Sequence, residues 1–153
     1  MIQRSVLVIF LVSLLASCIK PPTYDPIPLI TFDSISKTFV KGLSSTPPAL
    51  DSITFQISFT DGDGDLGASS SDTASNLFFR DSRTGFVNRF QFPYITPEGN
   101  VKDISGTIAY IFSPFDCDPG GKSDTFHYTI YIKDRAGNMS NEVTTPTIIC
   151  DCN

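Results

Sequence analysis

Between residues 52 and 59 apolar and polar side chains alternate. Ile53, Phe55, Ile57 and Phe59 fall on one face of an extended chain, and Thr54, Gln56 and Ser58 on the other. That period of two marks a strand with one side buried. Residues 125–133 repeat it, with Phe126, Tyr128, Ile130 and Ile132 facing in and Thr125, His127, Thr129 and Tyr131 facing out. Further strands are predicted over 29–40, 76–81, 86–92, 107–112 and 142–149. Ser82-Arg83-Thr84-Gly85 reads as the turn of a hairpin. Beyond the first seventeen residues no stretch sustains a helical period, and eleven prolines and ten glycines punctuate the chain. About seven short strands at this spacing predict an all-β fold, an antiparallel sandwich over residues 29–153.

The one long apolar run, Ser5 to Leu15, follows a short segment carrying Arg4 and leads through Ala16 and Ser17 to Cys18. It falls short of the roughly 20 residues of a membrane-spanning helix. The layout is that of a secretory signal peptide over residues 1–17. Leu15-Ala16-Ser17-Cys18 resembles the lipobox of bacterial lipoproteins. The resemblance implies that Cys18 is lipidated and becomes the first mature residue, anchored in a membrane by its acyl chains. Ile19 stands where an aspartate would signal inner-membrane retention, which implies the outer membrane. No acidic cluster follows the cysteine, so a periplasmic and an outward-facing domain both stay open. Pro21, Pro22, Pro26 and Pro28 give residues 18–28 the character of an extended tether.

Three further segments carry resemblances. Asp124-x-Phe126-x-Tyr128-x-Ile130 resembles the tyrosine corner of immunoglobulin-like sandwiches. Asp134-Arg-Ala-Gly137-Asn138-Met-Ser140 resembles the closing hairpin of bacterial Ig-like modules. Together they imply an Ig-like topology without the antibody pattern, since Ile130 occupies the cysteine position and the chain has no Trp.

Asp61-Gly62-Asp63-Gly64-Asp65-Leu66-Gly67 is the most informative internal motif. Its alternating carboxylates repel one another unless a cation lies among them, and calcium takes six to eight oxygens. The glycines supply the positive φ that a tight loop needs. The loop is not an EF-hand, because Leu66 and Asp72 stand where that motif needs Gly and Glu. It resembles calcium-binding loops of Ig-like and cadherin-like domains, and a segment common in Gram-negative lipoproteins. In an Ig-like sandwich the loops after the second and sixth strands share one end. Asp134 and Asn138 are then candidate partners for Asp61, Asp63 and Asp65 around calcium, with Asp72 a weaker one. The alternative is a solvated turn in which the aspartates accept backbone N–H groups.

With Cys18 lipidated, three thiols remain. An exported chain favours a disulfide, and Cys117–Cys150 and Cys117–Cys152 both fit antiparallel final strands. One cysteine is left over, and a metal site on Cys150-x-Cys152 is a further alternative. His127, the sole histidine, lies on an outward face. No nucleophile elbow, paired metal-ligand histidines or phosphate loop is present, so no enzyme is expected. The formal charge is −5, and loss of Arg4 with the signal peptide makes the mature chain one unit more negative. That balance argues against nucleic acid as a partner. The expected function is an envelope-anchored module, calcium-stabilised, that is structural or binds another envelope protein. The alternative is a carbohydrate-binding accessory lipoprotein of a nutrient-uptake system, which a row of exposed coplanar aromatics would favour.

Overall fold

The computed structural model describes residues 22–43, 50–68, 73–97, 102–117 and 121–153. Residues 1–17, predicted as a signal peptide, and Cys18 and Asp72 lie outside the described residues. Ten strands are formed: β1 (Leu29–Ile35), β2 (Phe39–Lys41), β3 (Ile53–Asp61), β4 (Leu77–Asp81), β5 (Val87–Phe90), β6 (Ile104–Phe112), β7 (Ser123–Phe126), β8 (Tyr128–Ile132), β9 (Val143–Thr144) and β10 (Ile148–Asp151). One layer is the antiparallel sheet β1-β3-β6. The other is built from β5-β4-β8-β9 and β2-β10-β7. This is an all-β sandwich of Ig-like strand order, β1-β3-β6 in one layer and β2-β10-β7, continued by β8-β4-β5, in the other. All pairings are antiparallel except β2 with β10, which is parallel.

Ten strands arise because three predicted runs are each split, and each break has a local cause. After Ile35 the chain leaves the first sheet. Ser36 N donates to Thr54 O at 2.9 Å, the last bond to β3, and β2 then joins β10 in the other layer. Between β7 and β8, His127 N donates to Ser82 Oγ at 3.0 Å and His127 O accepts from Ser82 N at 3.1 Å. The β4–β5 turn thus takes the place of a ladder partner. Between β9 and β10 stands Pro146, which has no N–H to give; Tyr128 N donates to Thr145 Oγ1 at 3.0 Å instead.

The predicted alternation holds within the strands. Ile53, Phe55, Ile57 and Phe59 of β3, and Phe126, Tyr128, Ile130 and Ile132 of β7 and β8, are all buried. Phe55 meets Phe79 across the layers with ring centroids 5.3 Å apart and Tyr128 at 6.0 Å, both edge to face. Aromatic pairs of this geometry contribute about 0.5–1.5 kcal/mol beyond the area they bury. The predicted hairpin turn closes through Gly85 N to Asp81 O at 2.8 Å, with Gly85 at φ +71°.

The end of the proline-rich segment is part of the domain. Gly62 N donates to Asp25 O at 2.9 Å, Tyr24 N to Asp103 Oδ1 at 2.5 Å, and Pro28 is buried. Any free tether therefore ends before Tyr24 rather than at Pro28.

Candidate functional site: an acidic loop at one end of the sandwich

Asp61 is the last residue of β3 and continues its inward series past Phe59. The strand's alternation therefore places a carboxylate where a core side chain would go, and Asp61 is fully buried. The chain then turns back on itself. Asp65 N donates to Asp61 Oδ2 at 2.9 Å, and Leu66, also fully buried, pins the far side of the loop into the core. Gly64 and Gly67 have φ of +71° and +79°, as a tight loop requires. Gly62 is needed for a different reason: a Cβ there would lie 2.2 Å from the Tyr24 carbonyl oxygen.

The loop after β8 comes to the same end, as the Ig-like order requires. Arg135 N donates to Asp65 O at 3.2 Å and Ala136 N to Asp65 Oδ2 at 2.9 Å. The Arg135 guanidinium reaches the carbonyls of Leu66 (2.9 Å), Gly67 (3.2 Å) and Gly64 (3.3 Å) and lies 5.0 Å from the Tyr94 ring centre. It thus straps the acidic loop from outside. Sequence reasoning passed over Arg135; its place beside Asp134 in the facing loop was the available signal.

One carboxylate oxygen each of Asp61, Asp63 and Asp65 is buried with no hydrogen-bond partner. The three carboxylates converge, with ligand-type oxygens within 4.8 Å of one another. No lysine or arginine forms an ion pair with them among the described residues. Burial, then the charges of Asp63, Asp65 and Asp134, push the Asp61 carboxyl up to about 6, against the pull of the Asp65 N–H. Asp65 is also raised, first by burial and then by Asp134 and Asp63, while the Ala136 N–H and Arg135 oppose the shift. Desolvation and like charge both favour the neutral acid.

Asp134 is buried beside this trio but is already committed. Its Oδ1 accepts from Gly137 N (2.6 Å) and Asn138 N (2.7 Å), and its Oδ2 from Asn138 Nδ2 (2.8 Å). Asn138 is therefore one step removed from the cluster: its amide holds Asp134 rather than joining the three orphaned oxygens. The Asp-x-x-Gly-Asn pattern builds its own turn, with Gly137 at φ +100°.

The opposite end carries a second polar group. Arg83, in the β4–β5 turn, pairs with Asp81 at 2.6 Å and Asp124 at 2.8 Å, donates to Asp116 O at 3.0 Å, and lies 3.9 Å over the Phe126 ring. Burial alone would lower its pKa; the bonds from Asp81 and Asp124 outweigh that and raise it. Beside it runs the Cys117–Cys152 disulfide. Of the two predicted pairings it is Cys152, not Cys150, that bonds Cys117. β10 pairs Cys150 with Asp124 and Val40 and points its sulfur into the core. Cys152 lies past the strand end, where Cys152 N meets Lys122 O at 3.0 Å and the side chain can reach Cys117. Cys150 is left as a buried thiol.

His127 is half-buried on the outward side of its strand. Phe78 and Tyr131 stack on the outer face of β4 and β8, centroids 4.9 Å apart and planes within 16°. Comparison with known proteins finds no matching family model, no matching curated protein and no matching solved structure.

Proposed function

We propose that this chain is an envelope-anchored lipoprotein whose Ig-like domain is stiffened by one calcium ion. The ion is held by Asp61, Asp63 and Asp65, with Asp134 as a further carboxylate beside them. The observation that carries the reading is the set of three buried, unpartnered carboxylate oxygens converging on one point. Burying an unpaired carboxylate is costly, and three together are costlier. Backbone N–H groups satisfy one oxygen each of Asp61 and Asp65, as a solvated turn would, but the second oxygen of each is buried without the solvent or donor that such a turn would give it. A calcium ion with oxygens at 2.3–2.6 Å tolerates ligand oxygens up to about 5 Å apart across the ion, which the 4.8 Å limit satisfies. Zinc and copper are poorer candidates, because the cluster offers carboxylates without nitrogen or sulfur.

The ion would tie together segments that a bare loop drives apart. The loop touches the N-terminal segment at Gly62, the stretch before β6 at Gly64 and the Pro93–Tyr94 stretch at Gly67. A domain fixed at this end presents its sheet faces in a set orientation to the membrane, as a structural or partner-binding module requires.

Titration calorimetry of calcium into the metal-stripped mature protein tests the site. One saturable event, absent from the Asp63→Ala, Asp65→Ala double variant, is expected; no heat in the parent protein sinks the proposal. The anchor is tested separately. Cys18→Ser is expected to move the protein from membrane to soluble fractions, and continued membrane association would reject lipidation.

A further inference from the structure

The odd cysteine sits against the disulfide. Cys150 Sγ lies 3.4 Å from Cys117 Sγ, and the sulfurs of Cys117, Cys150 and Cys152 all lie within 4.8 Å of one another. Gly42 makes room for this trio: a Cβ on it would be 2.3 Å from Cys117 Sγ and 3.0 Å from Cys150 Sγ. Gly42 is itself fixed, its N–H bonded to Asp151 O at 2.8 Å. The sequence separation alone does not bring a third thiol to a bridge. Two sheet pairings do so here, β10 with β2 and β10 with β7. Cys117 also lines a cavity of about 390 Å³ with Asp81, Arg83, Asp116 and Tyr128, so the bridge borders open space.

We propose that Cys117 is shared between two disulfide isomers, and that Cys150 exchanges with Cys152 for it without any external oxidant or reductant. The three sulfurs form a bent triad, so Cys150 Sγ first swings into line with the Cys117–Cys152 bond; its thiolate then attacks Cys117 Sγ and the Cys117–Cys150 bond forms. The Cys117–Cys152 bond breaks, and Cys152 leaves as a thiolate that takes up the proton Cys150 gave to solvent. The number of disulfides is unchanged. The free thiol passes from Cys150, fully buried, to Cys152, two residues nearer the C-terminus and at 8% exposure. In that isomer the Asp151–Asn153 segment is released from its covalent tie and carries a thiol that a second chain or a small disulfide can capture.

Attack requires the thiolate. Burial raises the Cys150 thiol; Arg83 works against this, and Asp124, Asp151 and Asp116 add to it. Exchange is therefore slow near neutrality and quickens with pH.

The test is timed labelling of the native protein with N-ethylmaleimide at pH 7 and pH 8, without reductant, followed by acidic digestion and disulfide mapping. Label is expected on Cys152 together with a Cys117–Cys150 bridge, forming up to about tenfold faster at the higher pH. Cys150→Ser should abolish that label, and folded Cys152→Ser protein should contain the Cys117–Cys150 bridge. Label confined to Cys150 with Cys117–Cys152 intact, or no label on any cysteine, overturns the proposal. So do two free thiols in folded Cys152→Ser protein.

Discussion

At the scale of single residues the most consequential placement is Asp61, which the strand's own alternation drives into the core. The motif is legible as an acidic loop, but the alternation by itself predicts a strand only as far as Phe59. Carrying the period one step further would have flagged Asp61 as buried. The need for Gly62 was not legible, because it depends on Tyr24, distant in sequence and close in space. Asp61 makes the metal-free domain pH-sensitive. Its carboxyl is raised from 3.8 to about 6. Below the lower value it is protonated in both folded and unfolded chains; above the upper it is ionised in both. Between them the folded state holds a proton that the unfolded state has released, so stability falls as pH rises. The loss from this group is on the order of 3 kcal/mol, and Asp65 shifts in the same direction. Denaturant titrations of stripped protein at pH 4.5 and 7.5 should show the fall, and Asp61→Asn should remove most of it. Equal pH dependence in both proteins would mean that Asp61 ionises normally.

At the scale of elements, residue patterning located the strands well and their ends less well. The breaks at Ser36, His127 and Pro146 divide three runs because partners in the other sheet or in a turn replace the ladder. Period alone carries no information about such partners. The shared end of the β3 and β8 loops followed from strand order and is realised in the Asp65–Ala136 and Asp65–Arg135 bonds. Arg135 gives this level its sharpest prediction. As a cation beside the site it repels calcium; as a strap across three loop carbonyls it holds the ligands in place. Supporting contacts of this kind typically change metal affinity about 10–100-fold, so holding should win. Arg135→Ala is expected to weaken calcium binding about tenfold by calorimetry. Tighter binding would show that its charge outweighs its bonds. At the other end, Arg83→Ala leaves Asp81 and Asp124 without their shared cation. It should lower stability by about 3–5 kcal/mol, as loss of one partner of a buried pair does, with calcium binding unchanged. A loss under about 1 kcal/mol would mark the pair as a surface-like one.

At the scale of the whole molecule, one aromatic core joins two chemically different ends. Phe55 and Phe79 lie at its centre, both fully buried, and truncating either to Ala should cost about 3–5 kcal/mol without touching the acidic loop. The Cys117–Cys152 bridge spans 35 residues and stabilises its end by about 3–4 kcal/mol in the chain-entropy view. That it involves Cys152 was beyond the sequence, because Cys150 and Cys152 are only two residues apart and the point where the last strand ends between them is not marked by the residue pattern. Among the described residues the acidic end has no disulfide, and one carboxylate oxygen each of Asp61, Asp63 and Asp65 is left without a hydrogen-bond partner there. The most direct measurement is the thermal unfolding of stripped protein at pH 7.5, with calcium and with chelator, for the parent chain and for Asp63→Ala, Asp65→Ala. A ligand that binds only the folded state contributes about 2.7 kcal/mol at a hundred times its dissociation constant, which for a domain of this size is about 5–10 °C. The parent protein should gain that much with calcium and the variant should gain nothing. Superimposable curves for the parent protein in calcium and chelator would contradict the calcium site and leave the loop a strained turn without a cation.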